Sequence, residues 1–304
     1  MTPSTSLKLA IVGDVHDQWS AADNAAVVAL GVDLVLFVGD FGNEAVDVVR
    51  CVSELSVPYA VILGNHDAWY TASAWGRKKA PYNHALEDRV QEQLTLLGDA
   101  HVGYGVRDFP ALNLSVVGGR PFSWGGDHWL NPEFYQERYG IDGFAASSRA
   151  ICAAVERAQC DRIIFLAHNG PTGLGNQPES ICGRDWKPIG SDFGDPDLAA
   201  AIAFARTQGK PIPLVTFGHM HHTLRHRRDR LRDITQTEAE TLYLNAARVP
   251  RIINTGQEQQ RNFSLVTLTA GQVTAADLVW VDEQAQIHHQ EPLYPTPQTV
   301  QGLL

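Results

Sequence analysis

Five short polar clusters carry the residue types that bind divalent cations: Asp14-Val15-His16, Gly39-Asp40, Gly64-Asn65-His66-Asp67, His168-Asn169-Gly170 and Gly218-His219-Met220-His221. Together they hold five of the chain's twelve histidines. Imidazole nitrogen and carboxylate oxygen, with no thiolate among them, favour Mn, Fe or Zn. Asp14 and His16 are two residues apart, as are His219 and His221, so on extended backbone each pair projects to one side. Asp40 stands alone on its segment, a suitable place for a carboxylate that bridges two ions, and Asn65 offers a neutral amide oxygen. A paired-metal site, with ions roughly 3.5–4 Å apart, needs about this many donors. A lone Asp-x-His or a single Gly-Asn-His-Asp turn arises often by chance. The full set, repeated at one position relative to its elements, does not.

Each cluster directly follows an apolar run: residues 8–13 (KLAIVG), 34–39 (LVLFVG), 59–64 (YAVILG), 162–167 (RIIFLA) and 213–218 (PLVTFG). The runs have the length of buried strands. Residues 20–30 and 43–55 between the first three are apolar at helical spacing, which predicts β-α-β-α-β with parallel strands and right-handed crossovers. The polar clusters then share the carboxyl edge of a sheet, where α/β proteins bind ligands. Residues 114–118 give a further strand. The runs 241–245, 263–268 and 278–281 lack long helices between them and are expected to pair antiparallel. Residues 118–126 read as a glycine-rich loop, and 147–159 as an amphipathic, alanine-rich packing helix. Beyond Asp282 periodicity fades while Gln and Pro increase, so residues 282–304 read as a tail after a domain over 1–281.

The composition narrows the classes. The 304 residues carry 24 basic and 34 acidic side chains, a net charge of −10, which argues against a protein built to grip nucleic acid. Within the one basic stretch, 222–233 (HTLRHRRDRLRD), interleaved acids suggest a solvated segment. No apolar run approaches the ~18 residues that cross a bilayer. The short polar start does not read as a signal peptide, and four scattered cysteines read as reduced thiols, so the expectation is a cytoplasmic protein without membrane contact.

As a set, the clusters resemble the five sequence blocks of the calcineurin-like metallophosphoesterase superfamily, from Asp14 to His221, about two thirds of the chain. The resemblance implies an α/β fold, a four-layer α/β/β/α sandwich of two mixed β-sheets with the site at one sheet edge. It implies one divalent ion (Mn²⁺, Fe²⁺/³⁺ or Zn²⁺) held by Asp14, His16, Asp40 and His221. A second would be held by Asp40, Asn65, His168 and His219. The implied chemistry is in-line attack of an activated water on the phosphorus of a small phosphate ester, a monoester before a diester. His66, not a ligand, would assist the leaving oxygen. Beside it, Asp67 reads either as the group that orients His66 or as a carboxylate that caps the turn. Protein Ser/Thr phosphatases of the superfamily carry G-D-x-x-D-R-G in the second block and H-G-G in the fourth. Here the second block runs Gly39-Asp40-Phe41-Gly42-Asn43-Glu44 and the fourth His168-Asn169-Gly170, which disfavours that class and leaves Asn43 to orient His66 without supporting its charge. Residues 82–110, 118–126 and Arg184-Asp185-Trp186 look similar to a branch of the superfamily found in cyanobacteria and plant plastids.

For the substrate, Arg120 and Arg184 are candidate phosphate binders, each weighed against a structural ion pair. Trp124, Trp129 and Trp186 are candidate walls of an apolar pocket, weighed against simple core packing. His128 is a weaker candidate ligand. The rival readings are a non-catalytic interaction scaffold on the same fold, which a loss of ligands would signal, and a nuclease, which a broad basic groove would signal.

Overall fold

The computed structural model describes residues 6–256 and 258–295. Along the chain run β1 (Ser6–Val12), α1 (Ala21–Ala29), β2 (Leu34–Phe37), α2 (Val46–Ser53), β3 (Tyr59–Val61), α3 (Ala74–Arg77) and α4 (Arg89–Leu97). Next come β4 (Val106–Phe109), β5 (Leu114–Gly118), α5 (Pro132–Tyr139), α6 (Phe144–Arg157), β6 (Arg162–Leu166), α7 (Pro196–Thr207) and β7 (Leu214–Phe217). The last third is all strand: β8 (Thr235–Glu238), β9 (Thr241–Asn245), β10 (Ile252–Asn254), β11 (Gln259–Thr269), β12 (Gln272–Val281) and β13 (Ile287–Tyr294).

Two mixed sheets form. The first runs β13-β12-β11-β1-β2-β3, with β10 on β11; the second runs β4-β5-β6-β7-β9-β8. Strands β1, β2 and β3 are parallel, as the helices between them require, and so are β5, β6, β7 and β9. Alternation along β1 sets the layers. Leu9 and Ile11 point between the sheets and meet Ile164, Leu166, Leu214 and Leu242. Ala10 and Val12 point the other way, onto Ala26 and Val27 of α1 and Val49 and Val52 of α2. On the far side of the second sheet, Ile163, Phe165 and Val215 lie under Ile151 of α6 and Leu198 of α7. The order is therefore helix, sheet, sheet, helix. Each buried Val, Leu, Ile or Phe among these stabilises the stack by about 1.5–3 kcal/mol.

Three outcomes differ from expectation or refine it. β11 and β12 pair antiparallel through Ala270-Gly271, both at positive φ, a two-residue turn whose twist matches a hairpin. β9 pairs antiparallel with β8 on one side but runs parallel to β7 on the other, the segment from β7 crossing back as irregular loop and β8 rather than as a helix. Finally, residues 287–294, placed in a tail by their lost periodicity, form β13, hydrogen-bonded along β12. It is an edge strand on which Leu293 alone is buried, so its His, Gln and Glu residues face solvent and leave no period-two pattern. Among the described residues, no helix is long and apolar enough to cross a membrane.

Candidate metal centre

The carboxyl ends of β1, β2, β3, β6 and β7 converge. Asp14, just after β1, is fully buried; its Oδ2 lies 3.2 Å from Nε2 of His221, and its Oδ1 accepts the His219 backbone N–H at 3.0 Å. Nε2 of His16 lies 3.2 Å from Nε2 of His221. Across the centre, Nε2 of His168 stands 3.3 Å from Asp40 Oδ1 and 2.9 Å from Asn65 Oδ1. The donor atoms of Asp14, His16 and His221 lie within 4.8 Å of one another, as do those of Asp40, His168 and His219, and those of His16, Asp40 and His66.

Local backbone explains this convergence. His16, Asp40 and His219 all have positive φ, at 45°, 54° and 63°. Non-glycine residues enter that region at a cost of order 1–3 kcal/mol, and the strain gathers where function fixes the geometry. It is held here by hydrogen bonds: the backbone N–H groups of Val15 and His16 both donate to the Asp40 carbonyl, at 3.0 and 2.7 Å. Two glycines admit the carboxylates. A Cβ at Gly218 would sit 2.1 Å from Asp14 Oδ1, and one at Gly64 would sit 2.3 Å from Asp40 Oδ1.

The donor set fits divalent cations. Nδ1–H of the buried His168 donates to the Val38 carbonyl at 2.7 Å, which leaves Nε2 as a lone pair facing two oxygen acceptors. A lone pair among acceptors needs a proton or a cation between them. Tautomer fixing by a backbone carbonyl is also how metal-binding imidazoles are oriented. Burial, with His168 nearby, pushes His219 down to about 3, so His219 is a neutral imidazole at ordinary pH, able to offer a nitrogen lone pair. Burial alone would raise the Asp14 carboxyl, but the hydrogen bond and charge of His221, with His168 and His16 close by, hold it below the usual range. The Asp14 carboxylate in turn raises His221 against its own burial.

A sequence model of the calcineurin-like phosphoesterases matches residues 7–223. The chain belongs to that family. As a member it is a metal-dependent hydrolase of phosphoesters. Among curated proteins, none matches it in sequence. Its fold recurs in solved structures, one of which aligns over 91% of this chain and 99% of its own at 12% identity and a TM-score of 0.51. A protein from Thermus thermophilus aligns over 95% of this chain and 100% of its own (13% identity, TM-score 0.48). A dimetal phosphatase from Danio rerio aligns over 94% and 99% (14% identity, TM-score 0.47).

All seven expected ligands thus lie in one place. His66 lies there too, half-buried, with Nε2 4.0 Å from Asp40 Oδ2 and its ring 5.0 Å from that of His16. Asp67 does not orient it. The Asp67 carboxylate is fully buried and accepts the backbone N–H groups of Gly64, Asp40 and Phe41 at 2.7, 2.9 and 2.8 Å, so it ties the β2 and β3 loops together. Arg120 is likewise not a phosphate binder. It is 2% exposed, and its guanidinium donates to Asp195 at 2.6 Å and Asp197 at 3.0 Å, at the start of α7. Arg184 donates to the Lys187 carbonyl at 3.1 Å and lies beside the Trp186 ring, outside the cavity next to the centre. Trp124 and Trp186 do line that cavity; Trp129 packs on Tyr135 and Arg120 instead. His128 is exposed beside Asp127.

Sequence reasoning missed Trp69, whose ring stacks on His66 with centroids 4.6 Å apart and planes 13° apart. The signal was there. Asn65–Ala68 is a 3₁₀ turn, in which residues three apart eclipse, and Trp69 is three after His66.

Proposed function

We propose that this member of the family is a dinuclear phosphoesterase for a small phosphate ester, a monoester in preference to a diester. One cation would be held by Asp14, His16, Asp40 and His221, the other by Asp40, Asn65, His168 and His219. The observation that carries the reading is the pair of donor groups on either side of Asp40, one built on Asp14 and one on His168. Cations bound there supply Lewis acidity, which lowers the pKa of a water toward neutrality and neutralises phosphoryl charge.

The protein's own part is positioning. Val38 and Asn65 fix His168; the His219 backbone fixes Asp14; Asn43 and Trp69 fix His66. His66 shares a third donor group with His16 and Asp40, which supports a place for its imidazole beside the centre, and in this reading the ligand roles fall to the other side chains. His66 then gives a proton or a hydrogen bond to the leaving oxygen, an effect of roughly 10²–10⁴-fold on rate.

The test is hydrolysis of 4-nitrophenyl phosphate, bis-4-nitrophenyl phosphate and single-stranded DNA by metal-stripped protein supplied with Mn²⁺. Turnover of the monoester above the other two supports the reading. Turnover of the diester alone moves it to a phosphodiesterase, cleavage of DNA alone to a nuclease. No turnover with two ions bound favours a non-catalytic scaffold.

A further inference from the structure

Beside His219 and His221 opens a cavity of about 530 Å³, large enough for more than a phosphate. Its walls are mostly apolar: Trp124, Leu130, Trp186, Phe193 and Met220. The walls are firmly placed. The backbone N–H of Gly126 and the side-chain amide of Asn169, next to His168, both donate to the Phe193 carbonyl, at 2.8 and 2.9 Å. Ser123, next to Trp124, donates to Asp195 at 2.8 Å, so the buried Arg120 pair also anchors this wall.

Three charged residues line the cavity, and two of them neutralise each other. Asp185 and Arg232 are both buried and pair at 3.2 Å, while Arg232 also donates to the carbonyls of His221, Ser180 and Gly183. The third, Arg225, has no carboxylate partner among the described residues. Of the other arginines in the basic run, Arg227 pairs with Glu179 and Asp229 and Arg230 with Asp233, while Arg228 is exposed and does not line the cavity. Its backbone N–H is held by Asp185 at 2.6 Å, and its guanidinium lies 5.3 Å from the Trp186 ring centre. Stacking on an aromatic face restrains the planar group while leaving its N–H edge free for an anion.

We infer that this cavity receives the alcohol part of the substrate, and that this part carries an aromatic body together with a second anionic group bound by Arg225. That group is a phosphate or carboxylate; either matches the guanidinium fork. The inference rests on the phosphoesterase reading of the adjacent centre.

The experiment uses the full chain and adenosine 3′,5′-bisphosphate as probe, in two arms. In the first, Mn²⁺-loaded protein is assayed for the ratio of kcat/KM on the bisphosphate to that on 4-nitrophenyl phosphate. Arg225→Gln lowers this ratio about tenfold or more, as the loss of a charge-assisted hydrogen bond would. Arg228→Gln, which removes an exposed cation of the same run, leaves it unchanged. In the second arm, quenching of tryptophan fluorescence reports binding to metal-stripped protein, independently of turnover. The wild type binds the bisphosphate about tenfold tighter than Arg225→Gln does, and tighter than it binds ribose 1,5-bisphosphate. Equal binding by wild type and Arg225→Gln, or an equal fall in the ratio for both variants, overturns the role of Arg225. Equal affinity for the two bisphosphates overturns the aromatic body. An absence of turnover on every ester would count against the phosphoesterase reading alone, because the binding arm still decides this one.

Discussion

Nδ1 of His66 lies 2.6 Å from Oδ1 of Asn43. An amide oxygen accepts the Nδ1–H and aims the ring, but it brings no charge to stabilise an imidazolium. Burial pushes the His66 imidazole below its ordinary value, only partly offset by Asp40, and bound cations would act in the same direction. Activity that depends on protonated His66 therefore falls as pH rises through a value below about 6.5. Asn43→Asp should raise that pKa by placing a carboxylate against the ring, moving the alkaline limb of kcat to higher pH. An unmoved limb would mean that His66 does not act as a proton donor.

His66→Gln should lower kcat about 10²-fold or more on an alkyl phosphate and much less on 4-nitrophenyl phosphate, whose leaving group needs no proton. Metal content measured on the same samples should be unchanged. Equal losses on both esters, or loss of an ion, would contradict the leaving-group role.

Gly64→Ala and Gly218→Ala remove no donor atom, yet each new Cβ would lie within 2.3 Å of a carboxylate oxygen of Asp40 or Asp14. Metal affinity should fall at least about tenfold in each, a loss comparable to disturbing the support of a ligand. Titration with Mn²⁺ checks it.

Arg120→Met leaves Asp195 and Asp197 buried without their cation. The expected loss is about 3–5 kcal/mol of stability in urea unfolding, the usual result of halving a buried ion pair. The KM of the folded variant for 4-nitrophenyl phosphate should stay near that of wild type, which separates a structural arginine from a phosphate-binding one.

Two histidines outside the ligand set make stability depend on pH. Burial lowers His222 to about 4 despite its bond to the Asn245 carbonyl, and lowers His101, whose Nε2 is buried without a partner, to about 4. Both fold as neutral rings. Below about pH 6.5 the unfolded chain takes up protons that the folded chain refuses until near pH 4, so acid removes stability across that window, by up to about 3 kcal/mol per group. His101→Leu should make unfolding free energy depend less on pH between 7 and 5.

The centre was readable because its chemistry sits at strand ends. Asp14, Asp40, Asn65, His168 and His219 each follow an apolar run, and the chain order of those runs already implied a common sheet edge. What escaped was set by tertiary partners. Nothing near Arg120 in sequence reveals that Asp195 and Asp197 will meet it, 75 and 77 residues later. Asp67 looks like an acid beside His66, but the 3₁₀ turn swings its carboxylate onto the backbone of Gly64, Asp40 and Phe41. β13 was hidden because an edge strand with one buried side chain, Leu293, has no pattern to read.

The most direct measurement is anomalous diffraction at the manganese edge from crystals grown with excess Mn²⁺. A dinuclear centre bridged by Asp40 should give two peaks per chain, one among Asp14, His16 and His221 and one among Asn65, His168 and His219, with Asp40 touching both. A single peak, or peaks that leave Asp40 uncoordinated, would contradict it.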